Sequence, residues 1–102
     1  MATDLSYIQF VMEQLRGEDA TYKKMFSEYM VYVEGKPVFT VCDNTVFVKE
    51  LKELAEILAE ADRGYPYDGA KEHYILDIEN AELVEKVLSV LKEVVSLPKK
   101  RK

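Results

Sequence analysis

Among its 102 residues the chain has one cysteine, one histidine and no tryptophan. A lone cysteine, Cys42, excludes an internal disulfide framework and suits a reducing compartment. Together with His73 it supplies only two of the four Cys or His ligands that a structural zinc site usually draws, so no metal centre is expected. Glycine and proline are scarce, at four and three residues, and no Gly-rich loop of the GxGxxG or GxxxxGKS/T kind is present to cradle a phosphate. A GxSxG elbow and a calcium-loop pattern are absent as well. No apolar run approaches the ~20 residues of a membrane span. Met1-Ala2-Thr3-Asp4 has neither the basic segment nor the apolar core of a secretory signal. These absences lead to the expectation of a cytoplasmic protein that is not an enzyme, has no catalytic residues, carries no cofactor and does not enter a membrane.

What is there is an ordinary globular composition, 48% apolar and 32% charged, in a length that suits one domain with its own core. The formal charge is −5, unevenly spread. Lys99, Lys100, Arg101 and Lys102 form a basic end, and without them ten basic groups face nineteen acidic ones, a formal −9. Such a body repels phosphate at long range, so nucleic-acid binding by the domain is not expected. The alternative is a nucleic-acid contact made by the four-residue tail, aided by Lys23 and Lys24. The reading is a single domain over residues 1–98 and a flexible basic tail over 99–102.

Periodicity orders the elements. Leu5, Ile8, Val11, Met12 and Leu15 recur at helical spacing, with Thr3 or Asp4 as a cap and Gly17 where a left-handed stop would sit. Residues 18–21 read as a polar connection, and 24–26 either as the beginning of the first strand or as a lead-in to it. Tyr29, Val31 and Val33 alternate with Met30, Tyr32 and Glu34 as a strand. Turns at 34–36 and at Asp43-Asn44 separate it from strands at 38–42 and 45–49, so the three form an antiparallel meander. Leu51, Leu54, Ile57, Leu58 and Ala61 predict a second helix with Glu53, Glu56 and Glu60 in water. Residues 65–69 form an aromatic loop, and 73–78 a fourth strand. Asn80 caps a last helix with the stripe Leu83, Val84, Val87, Leu88, Leu91, Val94 and Val95, and Pro98 stops it. The fold class is α+β: an antiparallel sheet with flanking helices in the order α-β-β-β-α-β-α. Apolar residues fall on both faces of the strands. Either the helices divide between those faces, or a partner such as a second copy of the chain covers one of them.

The chemistry-bearing residues read as structural. Cys42 fits a small buried hydrophobe beside a turn, His73 a surface or capping group, and the helix glutamates a solvated face. Seven tyrosines are the unusual feature. Their rings combine contact area with a hydroxyl that wants a partner, which suits a binding surface. Stacking of single-stranded bases on them is disfavoured by the acidic body.

Lys23-Lys24-Met25-Phe26-Ser27-Glu28-Tyr29 resembles the basic-Met-Phe-Gly-x-Tyr signature of the TfoX N-terminal domain family, that of the Sxy/TfoX competence regulators. Val31 to Lys36, Cys42 to Lys49, and Tyr65-Pro66-Tyr67 with Gly69-Ala70-Lys71 follow in the family's order. The likeness runs from about Ser6 to Leu97, with Ser27 and Met30 where the family commonly has glycine. It implies a fold like that of bacterial secretion chaperones and YjbR/MmcQ proteins, and a stand-alone regulatory module working through protein contacts. The expected partner surface is Tyr29, Tyr32, Phe47, Tyr65 and Tyr67. A third reading is a small-molecule site where Cys42 and His73 meet the tyrosine loop.

Overall fold

Two tight reversals organise the middle of the chain. Glu34 and Gly35 have φ of 54° and 80°, and Asp43 and Asn44 have φ of 53° and 54°. Positive φ at both centres of a two-residue loop marks the type I′ hairpin, whose twist matches that of the strands it joins. The computed structural model describes residues 4–25, 28–66 and 68–95. In it the reversals link β2 (Glu28–Val33), β3 (Lys36–Cys42) and β4 (Thr45–Lys49), the meander expected from the sequence. The register shifts between Val31 and Tyr32, which face Phe39 and Pro37, so Val38 bulges out of the ladder.

The α+β architecture is as expected, an antiparallel sheet flanked by helices. It has six strands in the spatial order β1-β2-β3-β4-β6-β5, where β1 is Ala20–Met25, β5 is Arg63–Gly64 and β6 is His73–Leu76. The two helices are α1 (Leu5–Gln14) and α2 (Ala81–Val94). Residues 20–25 form a strand of their own, a correction both to the polar connection at 18–21 and to the reading of 24–26 as part of, or lead-in to, the next strand. They pair along their whole length with β2, and as an edge strand they need no apolar stripe to be stable there. The second helical segment keeps its place but not its form. It is a 3-10 turn over Lys52–Leu54 followed by turns. Most of its bonds are i→i+3, with Leu58 to Leu54 the exception. Leu54 and Leu58 are nevertheless buried and the three glutamates exposed, so the face was right while docking set the backbone.

The strand members of the core share one face. Tyr29, Val31 and Val33 lie there with Phe39, Val41, Val46, Val48, Tyr74 and Leu76. Ile8 and Val11 of α1 and Val84, Val87, Leu88 and Leu91 of α2 join the same cluster. Each such side chain, fully buried, contributes about 1.5–3 kcal/mol. Both helices therefore pack on one side, and the expectation that they divide between the two faces is not met.

The caps follow chemistry. The Asn80 side chain accepts the amide of Leu83 at 3.1 Å. At α1 the Asp4 side chain makes no cap bond; it accepts instead from Asn44 Nδ2, while the Asp4 amide donates to Asn44 Oδ1 at 3.0 Å. Gly17 is not left-handed, and the C-cap of α1 is Leu15. Lys92 of α2 reaches Glu18 at 2.7 Å and Glu34 at 3.7 Å, and its carbonyl accepts from the Lys36 ammonium. The hydrogen bond to Glu18 holds the Lys92 ammonium above the ordinary lysine range. Thr3, Phe26, Pro98 and the basic tail lie outside the described residues.

Candidate functional site

Strand alternation places Met30 and Tyr32 of β2 on the face opposite the helices. The register adds Thr40 and Cys42 of β3, Phe47 and Lys49 of β4, and His73 and Ile75 of β6. This open face is the candidate site. Met30, Tyr32, Thr40, His73 and Ile75 are half-buried there, Lys49 is exposed, and Cys42 and Phe47 are buried. Phe47 meets the His73 ring edge-on at 6.4 Å between centroids. Its edge also lies against Gly64, where a Cβ would come within 3.4 Å of the Phe47 ring and 3.3 Å of Ile75. Glycine at that position lets the aromatic floor close against the β5 backbone.

One end of the face is concave. Residues 69–72 rise over Met30, Thr40, Lys49 and His73 to enclose about 600 Å³. His73 is held in place by a 2.7 Å hydrogen bond between Nδ1 and the Lys71 carbonyl. A carbonyl only accepts, so Nδ1 carries the proton. Arg63 lies outside the wall, 3.0 Å from Glu50 and 4.0 Å from Glu72, with its guanidinium 5.0 Å from the centre of the Tyr74 ring.

The sequence-derived surface is only partly assembled. Tyr29 is buried among the helices, in T-shaped contact with Tyr22 at 5.6 Å, while Tyr32 points to the opposite face. Phe47 lies on the same side as Tyr32 but beneath the surface, at 6% exposure. Tyr65 is open, at 63% exposure, and Tyr67 lies outside the described residues. The five therefore form no single patch: Tyr32 and Tyr65 are accessible, Phe47 supports the floor, and Tyr29 belongs to the core. Met30, one of the two family-glycine positions, has no positive φ and sits in regular β pairing with Lys23 and Thr40.

Cys42 and His73 are kept apart. Cys42 faces Thr45 at one end of β4 and His73 faces Lys49 at the other, about 13 Å along the strand. Burial pushes the Cys42 thiol up, and the Glu28 carboxylate adds to the rise. Glu28, on the same face, is itself raised by burial, and its Oε1 is buried without a hydrogen-bond partner. Lys23 and Lys24 are exposed on opposite faces of β1, so they do not form one basic patch. Among the described residues no group of three or more His, Cys, Asp or Glu could hold a metal ion. No helix among them is long and apolar enough to cross a membrane. Met30, Thr40, Lys49 and Lys71 were not read as site residues from the sequence; the parity of Phe47 and Lys49 was a usable signal, but the pairing of Lys49 with His73 was not.

The geometry defines an antiparallel α+β domain with a half-open sheet. No protein-family model and no solved structure matches the chain. It is similar to an uncharacterized 12.7 kDa protein in the trpE 5′ region of Spirochaeta aurantia, 35% identical over 105 residues that span 100% of this chain and 91% of that protein. The chain belongs to the same family as that protein.

Proposed function

We propose that the protein is a non-enzymatic regulatory or protein-interaction module of the cytoplasm, resembling the N-terminal domain of TfoX competence regulators. In this reading a protein partner is held by the sheet face that the helices leave uncovered. The observation that carries it is the asymmetry of the sheet: α1 and α2 share one core, while Met30 and Tyr32 stay half-buried on the other side. Partly exposed aromatic and thioether groups on a rigid sheet gain most from being covered by another protein. The lone buried Cys42 suits a reducing compartment.

The test pairs the wild-type chain with a Tyr32→Ala/Tyr65→Ala variant of matched thermal stability. Light scattering during size-exclusion chromatography reads self-association, and affinity capture reads a heterologous partner. Loss of a dimer or of a captured protein in the variant is the expected result. Equal behaviour of the two proteins in both measurements would remove this face as the contact surface.

A further inference from the structure

We propose that the concave end of the open face binds a small organic acid, a carboxylate joined to an apolar body. The proposal does not depend on the partner-surface reading. Two cavities meet there. The larger, about 600 Å³, lies under residues 69–72. The smaller, about 220 Å³, runs from the same place past Phe47 and through the gap where β3 and β4 stop pairing beyond Thr40 and Phe47, and so reaches Leu51 and, on the helix side, Leu91 and Val95. Met30, Thr40, Lys49 and His73 line both. The junction thus offers an ammonium, an imidazole and a hydroxyl, and the inner branch offers hydrocarbon.

Charge at the junction runs against that of the protein. Glu50 and Glu72 also line the larger cavity, but Arg63 engages both from outside the wall. Lys49 and Lys71 have no ion pair among the described residues. With Arg63 counted, three cations face two carboxylates, so the wall keeps one net positive charge on an acidic protein, which favours anions at that spot. With Nδ1 donating to the Lys71 carbonyl, Nε2 is the His73 nitrogen left for a ligand, and it donates to a carboxylate only as an N–H, in the ring that carries both protons. The Thr40 hydroxyl is held only by a weak 4.0 Å contact to the Met30 sulfur, which a carboxylate would displace. A bound acid would place its carboxylate between Lys49 and His73 and its chain against Leu51, Leu91 and Val95.

The full chain, labelled with nitrogen-15, is titrated with hexanoate, acetate and hexanamide. Hexanoate should shift the amides of Thr40, Lys49 and His73 saturably, with a Kd of about 1 mM or tighter. Acetate has the charge without the body, and hexanamide the body without the charge; each should bind at least ~10-fold more weakly. Lys49→Gln and His73→Gln should each weaken hexanoate about 3-fold, and the pair about 10-fold, with the remaining amide spectrum unchanged as the check on folding. Absence of saturable shifts, equal binding of acetate or hexanamide, or full binding by the double variant would overturn the proposal. The Tyr32→Ala/Tyr65→Ala protein should bind hexanoate as the wild type does, so failure of the partner surface and failure of this site are separately visible.

Discussion

Arg63 lies 3.0 Å from Glu50 while its guanidinium stacks over the ring of Tyr74. The ion pair is largely exposed and worth at most about 1 kcal/mol, and the stack on a buried ring adds about 0.5–1 kcal/mol. Arg63→Ala should therefore lower unfolding free energy by about 1 kcal/mol in denaturant titration. Arg63→Lys should recover only part of it, since an ammonium keeps the charge and loses the planar stack.

Glu28 gives a pH-dependent prediction. Burial raises its carboxyl, so the folded chain holds that proton to higher pH than the unfolded chain does. Stability then falls as pH rises through the window between the two values, and the full cost is present above it. Glu28→Gln should stabilise the protein near pH ~7, and the advantage over wild type should disappear below roughly pH 4, where the unfolded-state carboxylate is also protonated. Denaturation midpoints of both proteins across that range are the measurement. An advantage that does not change with pH would refute the electrostatic cause.

The first hairpin places Glu34 at φ 54° ahead of Gly35, a backbone that costs an ordinary side chain about 1 kcal/mol. Glu34→Asn creates the Asn-Gly pair that favours this turn. We expect a gain of about 0.5–1 kcal/mol and a Tm higher by several degrees in a thermal scan. The 3.7 Å contact to Lys92 is lost, but Lys92 keeps Glu18 at 2.7 Å.

Asn80→Ala removes the acceptor for the Leu83 amide and should cost about 1 kcal/mol in denaturant titration, with Asn80→Asp close to neutral. Because α2 supplies Leu88 and Leu91 to the shared core, the loss should appear in global unfolding and not as local fraying alone.

Much of this fold was legible in the residues. The α2 stripe, the Asn80 cap and both reversals are local: periodicity or turn chemistry specifies them without reference to distant chain. The strand over residues 20–25 was not legible, because Thr21, Lys23 and Lys24 give an edge strand no hydrophobic alternation to detect. The 50–61 segment displayed its buried face but not its backbone, since the same leucines satisfy an α-helix or a series of tighter turns. At the site, parity alone separates Tyr29 from Tyr32, so their opposite facing was readable. The meeting of Lys49 with His73 was not, because it rests on a pairing across residues 50–72 that no local signal announces.

The β1 edge carries a colloidal consequence. Every second residue of that strand turns its amide and carbonyl away from β2, a row on which a neighbouring molecule could hydrogen-bond. Lys23 and Lys24 project on both sides of it, so two molecules meeting along this seam bring ammonium against ammonium. Dispersal in concentrated solution thus depends on a repulsion that dissolved salt screens, and high ionic strength is the condition under which this protein is most prone to zip into ribbons.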